Sequence, residues 1–422
     1  MNHRDRPTLA ATFVVLSLLA ACGGGGGGSG PLPAARPQAT VSGAVTAGTI
    51  SGATVQVFGL ATGKPVLLGS GTTDANGDFA VNFNAPSQPI QIVASGGSYT
   101  EEADGVAVTL LGSEFLAAVQ NYTVGTPLTI DLSYFSTEAT GLADYYLGQG
   151  MLPQSAVTSA DEAVSSQLGF DLGSVMPVDP TSATSATAAI TQPLRYGFAN
   201  AAVSEWTMEL GNEYGASITP SPRTVYNSVA FADAAYQDIV ADGVLDGKGA
   251  GGAVVSFGAH ALTTEDYRHN LAIALLSFAA SSENRTSLTA AAMVGTAEAL
   301  DDSTSPIFGD AAAVSIDTGG PAVTITAPAP NTLMTTTVTI AASVSDGVPL
   351  SSVTFSLEGD AAGSFTYSPT QFAATPETNG SAAVWNDHSS ATTQTLSITA
   401  TDILGISNTV SEPVLFSNAP AL

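Results

Sequence analysis

The chain of 422 residues carries 36 acidic against 9 basic residues, a formal charge of −27, and a single cysteine. Binding that neutralises phosphates needs clustered Lys and Arg, and those beyond Ala21 are scattered: Arg36, Lys64, Arg195, Arg223, Lys248, Arg268 and Arg285. A nucleic-acid partner and a polybasic membrane-surface role are therefore excluded. One cysteine also leaves no internal disulfide, and the length allows about two to four domains.

Taken in order, the chain opens with Arg4 and Arg6 ahead of an apolar run from Thr8 to Ala20, too short for the ~20 residues that a spanning helix needs. An export leader over residues 1–21 is predicted, and no later stretch has the apolar length of a transmembrane helix. Leu19-Ala20-Ala21-Cys22 resembles the lipobox of bacterial lipoproteins. That resemblance implies signal cleavage between Ala21 and Cys22, lipidation of Cys22, and attachment to the membrane through the lipid. Gly23 stands where the family's inner-membrane members carry aspartate, which implies the outer membrane, with the folded part periplasmic or surface-exposed. Six glycines, Ser29 and Gly30 then lead into a Pro/Ala stretch, predicting a tether over 22–38 that stiffens toward its end.

From Ala39 short alternating runs appear: Val41/Gly43/Val45, Ala53/Val55/Val57, Val66/Leu68, Phe79/Val81/Phe83, Ile90/Ile92 and Val106/Val108/Leu110. Alternation broken by Gly, Asn and Pro is the half-buried strand pattern, so a small antiparallel β-sandwich is predicted over 39–112. Val41-Ser42-Gly43-Ala44-Val45, Ala53 to Val57 and above all Thr73-Asp74-Ala75-Asn76-Gly77-Asp78-Phe79 resemble the carboxypeptidase regulatory-like, or transthyretin-like, domain. The resemblance implies a structural or binding module.

Between 113 and 312 the period becomes helical. Val225, Val229, Ala232, Tyr236 and Ile239 fall on one face, as do Phe198, Ala202, Trp206 and Leu210, and Tyr267, Leu271, Ala274 and Phe278. Ser159 with Glu162, and Thr263 with Asp266, fit helix-starting capping boxes, and Gly169 and Gly211 mark helix ends. An all-α domain of roughly six helices is predicted. Pro127-Leu128-Thr129, Leu168-Gly169-Phe170 with Met176 to Pro180, and Asp238 to Gly247 resemble segments of bacterial surface lipoproteins that carry tandem Ig-like domains. Strand patterns return over 317–418. Asp317 to Pro328 resembles the opening of a bacterial Ig-like domain, and Ala400-Thr401-Asp402-Ile403-Leu404-Gly405 its final hairpin. The fold class predicted is thus multidomain α and β, two antiparallel β-sandwiches flanking an all-α helical domain.

Chemistry is sparse. Asp238, Asp242 and Asp246, with Gly243 and Gly247, form either a Ca²⁺ site or a pair of acidic turns, and Ca²⁺ is the one cofactor considered. Asp74, Asn76 and Asp78 alternate like half a Ca²⁺ loop but suit a hairpin turn better. After His3, the remaining histidines His260, His269 and His388 make no H-x-x-x-H pair, and neither a G-x-S-x-G elbow nor a P-loop occurs, so no catalytic residue is assigned. Two functions lead, ahead of a part in a larger secretion or assembly machine. One is a lipid-anchored envelope protein acting in adhesion, ligand binding or scaffolding toward an extracellular protein or glycan. The other is an envelope hydrolase of glycans with a catalytic helical domain, for which a deep pocket with converging carboxylates would speak.

Overall fold

The computed structural model describes residues 38–416 except 187–188, 302–303, 335–336, 359–362, 368–376 and 385–391. Ala21, Cys22, the tether up to residue 37, His3, His388 and Trp385 lie outside the described residues. The first strands are β1 (Gln38–Val45), β2 (Thr54–Gly59), β3 (Val66–Thr72), β4 (Asp78–Asn84), β5 (Gln88–Ser95), β6 (Ser98–Thr100), β7 (Ala107–Thr109), β8 (Phe115–Tyr122) and β9 (Leu128–Leu132). They make a sheet in the order β4-β1-β9, a second in the order β3-β2-β5-β8, and a β6-β7 ribbon. Alternation is strict on β4, which buries Phe79, Val81 and Phe83 between exposed neighbours. The turn ahead of it is closed by Asp74, whose Oδ1 accepts the N–H groups of Asn76 at 2.7 Å and Asp78 at 3.1 Å while Gly77 takes φ +75°. Those residues therefore serve a hairpin.

Two features correct the sequence expectation for this region. The pairing is not wholly antiparallel: β9 lies parallel to β1, in register from Val41 opposite Leu128 to Val45 opposite Leu132. Gly43 sits in that register because a Cβ there would meet the Ile130 carbonyl oxygen at 1.7 Å, which gives the Val-x-Gly-x-Val pattern its physical cause. The boundary at 112 is also too early, since β8 and β9 belong to the sheets. On β8, Leu116, Ala117, Ala118 and Val119 are all buried, so the strand shows no alternation and reads as a helical run.

The helices are α1 (Tyr134–Gly148), α2 (Pro153–Leu168), α3 (Gln192–Tyr214), α4 (Ser228–Asp242), α5 (Thr264–Tyr267), α6 (His269–Ala280) and α7 (Ala290–Asp301). Ribbons β10 (Lys248–Gly249) with β11 (Ala253–Val254), and β12 (Ser256–Phe257) with β13 (His260–Ala261), interrupt them, so the region is not all-α. Helix α1 covers the free edge of β8: Thr137 Oγ1 accepts the Ala117 N–H at 2.9 Å and Ser136 Oγ donates to the Ala117 carbonyl at 2.7 Å. The expected box at Ser159 is replaced by a start at Pro153, where proline at the first turn fixes the entry, and Ser159 lies inside the helix. Gly169 and Gly243, both left-handed, end α2 and α4. Val225 falls before α4, capped by the Asn227 side chain on the Ala230 N–H, while Val229, Ala232 and Ile239 are buried as expected. Helix α3 runs past Gly211 to Tyr214. The third stripe is buried throughout although Arg268, with ψ −77°, breaks it between α5 and α6.

One contiguous apolar core runs from Ala39 in β1 through the helices to Ile316 and takes in Val348, so the first strands and the helices fold around common contacts. A smaller core formed by Val323, Ile340, Ala342, Val344, Val353, Phe355, Leu396, Ile398, Ala400 and Val414 serves the C-terminal strands. These are β14 (Ala322–Ala327), β15 (Leu333–Met334), β16 (Thr337–Ser345), β17 (Leu350–Glu358), β18 (Gly363–Tyr367), β19 (Glu377–Val384), β20 (Thr392–Asp402) and β21 (Ser407–Phe416). They pair as β14-β16-β19 and β15-β21-β20-β17-β18, with β15 parallel to β21. Asp402 closes the last hairpin by accepting the Ile406 N–H at 2.9 Å, with Gly405 at φ +85°. Ile403 and Leu404 at its tip are partly buried against the larger core rather than free in solvent.

Replacing Gly43 by alanine pushes β1 off β9 and is expected to cost about 1–3 kcal/mol, as over-packing does. Gly295→Ala, at an exposed position of α7 with open space around the new methyl, is expected to gain roughly 0.5–1 kcal/mol. Urea denaturation of both variants checks the opposite signs.

Candidate functional site

The turn after β6 places Glu101, Glu102 and Asp104 against the helices. Glu101 is 1% exposed, and its carboxylate is saturated. Oε1 accepts from the Tyr99 hydroxyl at 2.7 Å and the Ser228 N–H at 2.8 Å, and Oε2 from the Ser204 and Ser228 hydroxyls, both at 2.6 Å. Arg223, 4% exposed, approaches to 4.0 Å and binds Asp104 at 2.8 Å through Nε. Its Nη1 donates to Thr207 Oγ1 at 2.9 Å and to the carbonyls of Ser204 and Tyr226. The Ala103 N–H closes the loop on Ser204 Oγ at 3.0 Å. A buried carboxylate and guanidinium thus tie the β6 turn to α3 and to the start of α4, with donors matched to acceptors as buried charge requires.

Beside this network lies a cleft of about 620 Å³ between the first strands and the loops around Asp179 and Glu283. Glu102, Asp179, Thr181, Glu283 and Arg285 line it, with hydroxyls of Thr49, Ser98 and Thr109. Burial, then the Asp179 and Glu101 charges, push the Glu102 carboxyl well above the usual range. Tyr99 is the aromatic residue of the lining, and it is buried with its hydroxyl on Glu101.

Other carboxyls are buried on β9 and in the helices. Burial pushes Glu138 up to about 8, partly offset by the Tyr134 hydroxyl, and Asp131 up to about 7, partly offset by hydrogen bonds from Thr46, Tyr196 and Ser133. Glu205 rises to about 8 through burial and the Glu209 charge, against the pull of Arg223. Both histidines outside the masked segments are paired: His260 Nε2 with Asp266 at 3.0 Å, and His269 Nδ1 with Asp301 at 2.8 Å, where Arg268 also approaches to 3.6 Å. These pairs raise both imidazoles, through the hydrogen bond first. His269 therefore has the hydrogen-bonded helix role rather than that of a free base.

The proposed metal residues are engaged one by one. Asp238 is buried and accepts the Gly247 N–H at 2.8 Å, Asp242 accepts the Val244 N–H at 3.1 Å, and Asp246 accepts the Lys248 N–H at 2.9 Å and its ammonium at 2.6 Å. Among the described residues no group of three or more His, Cys, Asp or Glu is placed to hold a metal. Each of the three thus accepts a different backbone N–H, and Asp238 Oδ1 is left without a hydrogen-bond partner. Sequence reasoning missed Glu101, Glu102 and Arg223. Glu101-Glu102-Ala103-Asp104 reads as a solvated acidic turn, and the available signal was the scarcity of cations, which makes each arginine a candidate anchor.

Residues 321–385 match the bacterial Ig domain family, so the C-terminal strands contain an Ig-like domain. No curated protein matches the chain. Among solved structures, the fibronectin(III)-like modules of Clostridium thermocellum CbhA are similar at 24% identity over 23% of this chain and 46% of that one, with a TM-score of 0.16. A 9R-lipoxygenase from Cyanothece PCC8801 is similar at 16% identity over 34% of this chain and 25% of that one, with a TM-score of 0.15. The chain spans less than half the length of either. Among the described residues no helix is long and apolar enough to cross a membrane.

Two outcomes follow from the buried charges. Arg223→Ala strands the Asp104 and Glu101 carboxylates and is expected to cost about 3–5 kcal/mol in urea denaturation, with Arg223→Lys recovering only part because it cannot reproduce the fork. Folded-state pKa values raised above unfolded ones make the carboxyls stabilising when protonated. That contribution is full below about pH 4, the unfolded carboxyl value, and is lost as pH climbs toward the values near 7 and 8 of Asp131 and Glu138. The raised histidines act in the same sense, stabilising below about 6.5 and ceasing above their folded values. The melting temperature is therefore expected to fall between pH 5 and pH 8, and Glu138→Gln to flatten that slope in thermal scans.

Proposed function

We propose that the chain is a lipid-anchored protein of the bacterial envelope that binds or scaffolds a partner without catalysing a reaction, held at the outer membrane through Cys22 and a glycine tether. The bacterial Ig domain at 321–385 carries this reading, since Ig-like domains fit surface and scaffolding proteins in general. The leader and lipobox resemblance supply the location. On this reading the strand regions are sandwich modules, the first of transthyretin-like kind, that carry and space the binding surface. The junction cleft is the concave surface where a ligand would sit.

The hydrolase reading draws on the same cleft, because carboxylates converge there. Three observations favour the binder. Glu101 is saturated with donors, Asp179 Oδ1 is occupied by the N–H and hydroxyl of Thr181 at 2.7 Å each, and the lining shows no open aromatic face on which a sugar ring would stack.

The test is Cys22→Ser. The variant is expected in the soluble periplasmic or medium fraction and without label after growth on radioactive palmitate, while the unsubstituted protein pellets with membranes and is labelled. Retention of the serine variant in membranes would overturn the placement.

A further inference from the structure

From the junction cleft we infer a binding site for a cationic side chain, the guanidinium or ammonium of an Arg or Lys presented by a protein or peptide partner. The inference deepens the binding reading above and rests on it for the absence of catalysis, but not for the lipid anchor.

The wall of the cleft is unbalanced in charge. Glu102, Asp179 and Glu283 face it, and the cation among its lining residues, Arg285, is 56% exposed in its side chain and stands 3.9 Å from Glu283. The neighbouring guanidinium of Arg223 does not compensate, because Asp104, Thr207 and two backbone carbonyls already take its donors. Glu102 is the decisive group. It is 8% exposed, and its Oε2 has no hydrogen-bond partner, although a buried carboxyl oxygen left in that state is destabilising. The adjacent Glu101, by contrast, holds four donors at 2.6 to 2.8 Å. The fold therefore satisfies one carboxylate completely and leaves one oxygen of its neighbour, whose carboxyl takes a backbone hydrogen bond at Gly48, short of a donor. Asp179 and Glu101 add negative potential at Glu102. A neutral ligand would bring donors without relieving that potential, and an anion would add to it. A guanidinium or ammonium brings both, and hydroxyls of Thr49, Ser98 and Thr109 supply acceptors for its remaining N–H groups.

The experiment uses the full chain in detergent and isothermal titration with acetyl-Gly-Arg-Gly-amide, its neutral citrulline isostere, and maltotriose. Saturable one-site binding of the arginine peptide is expected, weakened about tenfold or more in the citrulline peptide and by Glu102→Gln, the loss of one charge-assisted contact. Glu298→Gln, an exposed acid on α7, controls for attraction by net charge and should leave the affinity unchanged. If Glu102→Gln does not fold, Glu283→Gln at a half-exposed position gives the same readout at smaller amplitude. Equal affinity for both peptides, undiminished affinity in the Glu102 or Glu283 variant, an equal loss in Glu298→Gln, preference for maltotriose, or no saturation at millimolar peptide would each overturn the site. Cleavage of either ligand during the titration would overturn the non-catalytic reading and leave a site with the expected peptide selectivity standing.

Discussion

The Glu101 carboxylate is the constraint on which the arrangement of this chain depends. It reaches from the β6 turn into the helical region, takes donors from the start of α4 and from the middle of α3, and stands beside the guanidinium of Arg223. Removing a carboxylate from water is costly, and the cost is offset here because four donors and a cation converge on it. Apart from the local Tyr99 hydroxyl, none of these contacts forms unless strands and helices dock together. The network therefore fixes how the β6 turn meets α3 and α4, and the continuous apolar core between strands and helices then excludes water from it.

That docking creates the cleft as well. The turn that buries Glu101 also brings Glu102 to the cleft lined by Asp179 and Glu283. Both glutamates are buried, yet one carboxylate has its full set of donors and the other keeps an oxygen without one. The same economy of cations governs the wider molecule. With 36 acids and 9 bases, few buried carboxyls meet a lysine or arginine: Asp131 takes the Thr46 hydroxyl, both Glu138 oxygens lack a hydrogen-bond partner, and burial raises the two groups toward neutral pH. Mild acid accordingly favours the folded chain.

Much of the local structure was legible in the residues. Phe79/Val81/Phe83 alternate because one face of β4 is wet, Gly169 stops α2 because a left-handed residue must, and Asp402 with Gly405 spells a hairpin. Where both faces of an element are dry the pattern loses its period. Strand β8 carries a helix-like pattern for that reason, and the strand region extends past 112 to β9. Pro153 overrode a plausible capping pair at Ser159 because ring geometry sets a helix start more firmly than a side-chain hydrogen bond. Ile403 and Leu404, unremarkable in a turn, proved to be contact residues.

The amino-acid sequence by itself determined the succession of strands, helices and strands and the Ig-like C-terminal region, because composition and short-range periodicity are local properties. Only the tertiary structure decided that the first strands and the helices share one core, that β9 returns parallel to β1, that Asp238, Asp242 and Asp246 serve separate turns, and that Glu101 and Glu102 differ. Each of those outcomes depends on which distant donor or apolar surface arrives beside a residue, and no spacing along the chain encodes that arrival.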